Sequence, residues 1–482
     1  MVTEVSLSWS LLIYISEWLV RLLMLAVLIE RHRPRTAVTW LLVIFFLPWP
    51  GLFLYLLIGE NRLPHRRIRL RRALLKKYDG LRKFDVLGAE HEPPGIDKRF
   101  SPTVTLAEKL GSMPVTFGNR ATLLTNTDRV IDQLIEDIDA AQRHVHLLFY
   151  IFAADETGQC VGEALKRAAL RGVKCRLLVD AVGSRQFLNQ VAPDLRASGV
   201  ELYAALPVGL LRAWVARLDL RNHRKIVVID GQIGYTGSQN IVNADYGYRT
   251  LEYYDLMVRL NGPVVLELQA VFADDWYAES DQFLEDSELS PGDVTPLFEG
   301  GDAVQALPSG PLFPVENYQR QVVAAIHAAQ EQVTITTPYF LPDEVFLEAM
   351  ETAALKGVRV ELIVPAKSNY ALVGIAACAY YEQLLSRGVN IYLFHEGLLH
   401  AKSMTIDDSI AFLGSSNFDI RSFALNFEIN MIFYGVEFAE KLREQQAFFR
   451  ENAEPLSLDK WQKRPAYKRV MQNVFQLLSP VL

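Results

Sequence analysis

The chain has 482 residues, enough for more than one domain with a large core. Half of the residues are hydrophobic, and the net charge of −7 divides unevenly: residues 1–77 balance at +8 and the remainder at −15. A strongly acidic body argues against a duplex nucleic acid as partner, since phosphates need a basic face, and three scattered cysteines (Cys160, Cys175, Cys378) form neither a disulfide framework nor a metal-ligand spacing.

Two apolar stretches open the chain, Trp9 to Ile29 and Val38 to Ile58. Each has about the length that crosses a bilayer as a helix, so a transmembrane hairpin is expected over residues 1–77. Pro48, Pro50 and Gly51 should kink the second span. Glu17 and Arg21 sit four apart on one helical face, where they can pair. A cleaved signal peptide fits poorly, because no basic segment precedes the first stretch and a second follows at once. After the hairpin come Arg62, Arg66, Arg67, Arg69, Arg71, Arg72, Lys76 and Lys77, a heavier basic flank than Arg31, Arg33 and Arg35 between the stretches. The positive-inside rule then places the body in the cytoplasm, and the arginine run can hold anionic headgroups.

Residues 78–116 read as a linker, 117–290 as a first α/β domain, 291–315 as a Gly/Pro-rich connection and 316–482 as a second α/β domain. The two domains are an internal repeat. Ala140-Ala141-Gln142 matches Ala328-Ala329-Gln330, Phe152 and Asp155 match Phe340 and Asp343, and Arg171-Gly172-Val173 matches Lys356-Gly357-Val358. Helix-period stretches alternate with short β-branched runs, the pattern of a mixed sheet flanked by helices.

The chemistry lies in one string that occurs twice, H-x-K-x4-D-x6-G-S-x-N. It runs through His223, Lys225, Asp230, Gly237, Ser238 and Asn240, then through His400, Lys402, Asp407, Gly414, Ser415 and Asn417. A phosphodiester repels nucleophiles by its own charge. It needs a good nucleophile, a proton donor for the leaving oxygen and fixed cations on the phosphate. Imidazole titrates near neutrality, so one ring can attack while the other donates. H-x-K is expected on a strand, as the strand-like run Ile226–Ile229 after the first motif supports, so that His and Lys share a face. Asp230 and Asp407 read as braces of a turn. A nucleophilic imidazole also needs an acceptor on its second nitrogen, and Asp255 and Glu428, at strand starts downstream of each histidine, are candidates. The other seven histidines lack such a context. No zinc spacing, P-loop or dinucleotide fingerprint appears, so no metal or cofactor is expected.

The doubled string resembles the phospholipase D superfamily. Further segments narrow the resemblance to its bacterial cardiolipin synthase branch: Leu220 to Lys225, Thr337 to Asp343, Leu399 to Lys402, Arg421-Ser422 and Leu425 to Glu428. The resemblance implies two phospholipase D-like domains related by a pseudo-twofold axis and sharing one active site. It implies phosphatidyl transfer between two phosphatidylglycerol molecules through a phosphohistidine, without metal, at a bacterial inner membrane that the chain crosses more than once. Carried onto this sequence, it makes His223, Lys225, Asp230, His400, Lys402 and Asp407 the catalytic signature, with His223 as nucleophile and His400 as acid and then base. Lys225, Lys402, Asn240 and Asn417 would hold the phosphate with help from Ser238 and Ser415, and Asp255 and Glu428 would orient the rings. Leu210 to Arg217, apolar and basic, could dip into headgroups. A hydrolytic phospholipase D or another phosphatidyltransferase would carry the same residues.

Overall fold

Val20, Met24 and Leu28, one row along the first helix, bury against Ala37, Ile44 and Tyr55 of the apolar segment that follows. In this computed structural model the N-terminal helix runs Val2–Arg31, and helices Pro34–Phe46 and Pro48–Ile58 come next. The structure describes residues 2–32, 34–59, 96–209, 217, 219–246, 251–285, 288, 297–313, 315–477 and 479. The basic run 62–77, most of the Leu210 to Arg217 segment and much of the two expected linkers lie outside the described residues. The chain divides into two units, residues 1–68 with 208–220, and residues 69–207 with 221–482.

In the first unit the second apolar stretch is broken rather than kinked. Pro48 excludes its predecessor from the α region, and Leu47 sits at φ −132°, ψ 73°. The stretch therefore forms helices of 13 and 11 residues. Among the described residues only Trp9–Arg31 is long and apolar enough to cross a membrane, so the expected second crossing, and with it a multi-pass chain, is not built as one span. The expected Glu17–Arg21 pair forms at 3.2 Å, and Arg21 also donates to the Phe45 carbonyl at 3.1 Å, so the charges are satisfied inside the unit.

The second unit is organised by one 15-stranded mixed sheet. At its centre Thr116–Leu124 pairs antiparallel with Asp302–Ser309. Outward on one side follow Met257–Asn261, Ile233–Gly237, Ile226–Ile229, His144–Phe149, Lys174–Asp180 and Glu201–Ala205. On the other side follow Glu428–Tyr434, Ile410–Gly414, Ser403–Ile406, Gln332–Thr336, Arg359–Pro365 and Asn390–Phe394, with Ala453–Pro455 at the edge. The two halves are the same seven strands in the same order, the duplication seen in the sequence. The three outermost repeat strands of each half run parallel, and the rest are antiparallel. Strands such as Ile226–Ile229 are buried on both faces, which their unbroken apolar runs require.

Two expectations about boundaries need revision. The 291–315 stretch contains Asp302–Ser309, which is the first strand of the second repeat; Pro308 and Gly310 hid it. The 78–116 stretch contains the helix Ser101–Gly111. The repeat residues Asp155 and Asp343 have equivalent structural jobs, each capping a helix through the amide of Gly158 or Phe346 at 2.9 Å.

Candidate active site

Each H-x-K segment lies in coil just before a strand, not on it. The strands start at Ile226 and Ser403, after the lysines. What fixes each segment is backbone from the other repeat. His223 N–H donates to the Phe427 carbonyl at 2.9 Å, and Phe427 N–H donates back to Arg221 at 2.9 Å. On the second side Leu398–Leu399 pairs parallel with Tyr253–Tyr254, and His400 N–H donates to the Tyr254 carbonyl at 2.9 Å.

The side chains repeat this exchange. His223 Nδ1 lies 2.9 Å from Glu428 Oε2, and His400 Nδ1 lies 2.6 Å from Asp255 Oδ1. The order of the chain had suggested that each carboxylate would serve the histidine of its own repeat, but both serve the opposite one. The reason is topological: Asp255 lies just before, and Glu428 opens, the strands next to the central pair, so each faces across the seam. The exchange brings both histidines and both lysines into one electrostatic cluster, in which Lys225 and Lys402 each feel both carboxylates.

Burial sets the protonation of this cluster. It pushes His400 down to about 4 even though Asp255 pulls the other way, and it lowers His223 against the pull of Glu428. Lys225 falls to about 8 and Lys402 to about 7, both mainly through burial. Burial alone would raise Asp255, but the charge and hydrogen bond of His400, with Lys402 and Ser238, hold it at about 2. Glu428 is lowered in the same way by His223, Lys225 and Ser415. Each carboxylate is therefore ionised, and each imidazole is held by its Nδ1, leaving Nε2 for chemistry.

Both lysine ammonium groups rest on the carbonyl of their own histidine, Lys225 at 2.7 Å from His223 O and Lys402 on His400 O. Asn240 accepts the amide of Ile151 at 3.1 Å. Asn417 donates its own amide to Ser422 Oγ at 3.1 Å, and its side-chain oxygen is buried without a partner among the described residues.

Ser238 and Ser415 are not placed to assist a phosphate. Ser238 Oγ donates to Asp255 Oδ1 and Ser415 Oγ to Glu428 Oε2, both at 2.6 Å, while each oxygen accepts the amide of Leu256 or Ile429 at 2.9 Å. The single hydroxyl proton of each is thus spent on holding a carboxylate. The preceding glycine permits this approach: a Cβ on Gly237 would stand 2.3 Å from the Leu256 carbonyl. Asp230 and Asp407, members of the signature, do not touch the reacting groups either. Asp230 takes the amides of Gln142, Arg143 and His144, and Asp407 those of Gln330, Glu331 and Gln332. Both hold the left-handed conformation, φ 57° and 48°. They brace the Ala-Ala-Gln turns as expected.

Several residues at the site carry no motif in the sequence. Arg224, the unmarked middle of the first H-x-K, is buried, pairs with Asp275 at 2.5 Å and donates from Nε to the Glu428 carbonyl at 3.0 Å. Its counterpart is Ala401. Asp180 accepts the Asn222 amide at 3.1 Å beside His223. Tyr150 and Tyr253 set their rings edge-on to His223 and His400, with centroids 4.9 and 5.6 Å apart. An arginine between two motif positions was the one available signal.

A family model described as cardiolipin synthase, phospholipase D-like domain, matches twice, over residues 134–276 and 322–447. The chain belongs to the cardiolipin synthase family. A second model, phospholipase D-nuclease N-terminal, matches residues 18–60. Cardiolipin synthase A of Edwardsiella ictaluri (strain 93-146) is 35% identical over 470 residues, and that of Proteus mirabilis (strain HI4320) is 36% identical over 468; each alignment covers 95% of this chain and 95% of the relative. The phosphatidylserine synthase of Haemophilus influenzae Rd KW20 shares the fold, with TM-score 0.60 and 15% identity, over 80% of this chain and 100% of that one. As a cardiolipin synthase family member with an apolar N-terminal helix, the protein is membrane-associated.

Proposed function

We propose that this phosphatidyltransferase moves a phosphatidyl group from one phosphatidylglycerol to the terminal hydroxyl of another, giving cardiolipin and glycerol. The observation that carries the reading is the crossed clamp: two imidazoles, each held at Nδ1 by a carboxylate of the opposite repeat. His223 Nε2 attacks phosphorus, and the bond to the departing glycerol oxygen breaks as His400, protonated once the phosphodiester anion beside it offsets the effect of burial, gives that oxygen its proton. The acceptor hydroxyl then passes its proton to His400 and attacks, and the P–N bond to His223 breaks. The assignment of roles is supported by access, since the His223 side chain keeps 12% of its surface open and that of His400 5%. Lys225 and Lys402 leave their carbonyl partners to meet the phosphate oxygens, with Asn240 and Asn417 beside them.

The helix Trp9–Arg31 anchors the protein in the bacterial inner membrane. Residues 1–8 carry no Lys or Arg, whereas Arg31, Arg33 and Arg35 follow the helix, so the body lies on the cytoplasmic side among anionic lipids.

Purified protein in mixed micelles with phosphatidylglycerol, without added divalent metal, is expected to yield cardiolipin and glycerol. Phosphatidic acid as the sole product would overturn transfer in favour of hydrolysis. With an activated aryl phosphodiester that needs no acid, His400→Ala should accumulate a phosphoenzyme on His223, and label found on residue 400 of a His223→Ala variant would reverse the assigned roles.

A further inference from the structure

The helix Ala466–Leu477 packs along one face and leaves another face exposed. One face packs on the second repeat: Gln472 is buried, and Phe475 lies against a core that includes Ala376, Ala377 and Tyr380. On the other face Tyr467, Val470, Met471, Val474 and Leu477 follow helical spacing and are between 38% and 80% exposed. A continuous apolar stripe of this kind is a surface that water does not favour, and scattered surface hydrophobics do not explain it.

The charges around the stripe say what covers it. Residues 460–482 contain Lys460, Lys463, Arg464, Lys468 and Arg469 and no Asp or Glu, while residues 78–459 carry a net −20. Arg464 is committed to Glu382 at 2.7 Å, and Lys463, Lys468 and Arg469 are exposed. Apolar positions on one side of a helix with basic residues at its margins are the pattern of a helix lying in a membrane interface. A second copy of the same helix would set five cations against five. An anionic bilayer complements the charge and dissolves the apolar side chains.

We infer that the helix Ala466–Leu477 is a second membrane contact, seated by its Tyr467–Val470–Val474–Leu477 face in an anionic lipid surface. Such a contact would keep the catalytic body on the bilayer independently of the N-terminal helix. The inference concerns seating rather than chemistry, so its test reads location and not turnover.

The test uses full-length protein with Cys160→Ser, since Cys160 is exposed, and Val474→Cys carrying a nitroxide. It is reconstituted in phosphatidylglycerol–phosphatidylcholine vesicles, in phosphatidylcholine vesicles and in detergent, with Glu136→Cys as an aqueous control site. In the anionic vesicles collisions with an aqueous nickel chelate should fall severalfold at position 474 and stay unchanged at 136, while collisions with oxygen rise. Adding Lys468→Glu and Arg469→Glu should restore chelate access, with the thermal unfolding midpoint checking that the fold is kept. Full chelate access at 474 in anionic vesicles would overturn the inference. So would spin–spin broadening between labels in every medium, which would mark a second copy as the occupant.

Discussion

Glu428 Oε2 stands 2.9 Å from His223 Nδ1, although 205 residues separate the two in sequence. The mirror contact, Asp255 with His400, spans 145 residues. Neither repeat therefore contains a complete imidazole–carboxylate unit. The duplication did not make two active sites; it made two halves of one.

Neutralising either carboxylate tests this directly. Glu428→Gln and Asp255→Asn preserve shape but remove the charge that fixes the tautomer and stabilises the imidazolium. Each should lower kcat by about 10²–10⁴-fold, the scale of positioned acid–base catalysis, with little change in KM. Trapping the phosphoenzyme separates the two: Glu428→Gln should slow its formation at His223, and Asp255→Asn should slow its breakdown as well. Equal effects of Glu428→Gln and Asp255→Asn on formation, with no effect on breakdown, would contradict the crossed pairing of roles.

Substrate binding should take up protons. Free Lys402 titrates at about 7 and Lys225 at about 8, both lowered mainly by burial. A phosphodiester anion brought between them favours the ammonium form and raises both values. Below pH 6 both lysines are already charged and uptake should vanish. At pH 8 to 9 most of Lys402 and much of Lys225 are neutral when free, so binding must draw protons from solution. Calorimetry of a non-reactive phosphodiester in buffers of different ionisation enthalpy measures this. Constant uptake across pH 6 to 9 would exclude the lysines as its source.

His400 adds a stability term of known sign. Its folded value, about 4, lies below the 6.5 of an ordinary exposed imidazole. The unfolded chain therefore binds more protons between these values, and stability falls as pH drops from about 6.5 toward 4. His400→Gln should flatten that part of the stability–pH curve, as read from thermal unfolding midpoints.

Asp230 and Asp407 belong to the signature yet should govern stability rather than chemistry. Each accepts three amides from the turn that opens a neighbouring strand. Asn tolerates their left-handed backbone but loses the charge and part of the acceptance. Asp230→Asn should cost about 1–3 kcal/mol, visible in denaturant unfolding, with the activity of the folded fraction close to the parent's. A large fall in kcat at unchanged stability would return Asp230 to the catalytic set.

The chemistry was legible from sequence because identical spacing recurred, and the seven matching strands per half follow from the same duplication. The crossed pairing was not legible, since nothing in a string tells which half a carboxylate faces; that is decided by the sheet meeting at Thr116–Leu124 and Asp302–Ser309. Ser238 and Ser415 were misassigned because a hydroxyl beside a glycine turn suits a phosphate as well as a carboxylate. Leu47 broke its helix because the restriction that Pro48 imposes falls on the preceding residue.

Arg224 is where the two halves cease to be equivalent, because the second motif has Ala401 in its place. Its guanidinium joins three elements: Asp275 of the helix Val264–Ser280, the Glu428 carbonyl and, at 3.3 Å, the Ser309 carbonyl. It thus fixes the backbone that carries the clamp on His223, and among the described residues no equivalent guanidinium contact holds the Asp255 side. Arg224→Lys keeps the charge but cannot supply Nε and both terminal nitrogens in one plane. The expected result is a loss of about tenfold or more in phosphoenzyme formation, the step that uses His223, with its breakdown changed much less. Arg224→Leu removes one partner of a buried ion pair with Asp275, and should destabilise by about 3–5 kcal/mol. Adding Asp275→Leu to that variant should recover stability but not the rate, because the carbonyl contact at Glu428 stays lost. Recovery of both would reduce Arg224 to a buried charge with no part in positioning His223.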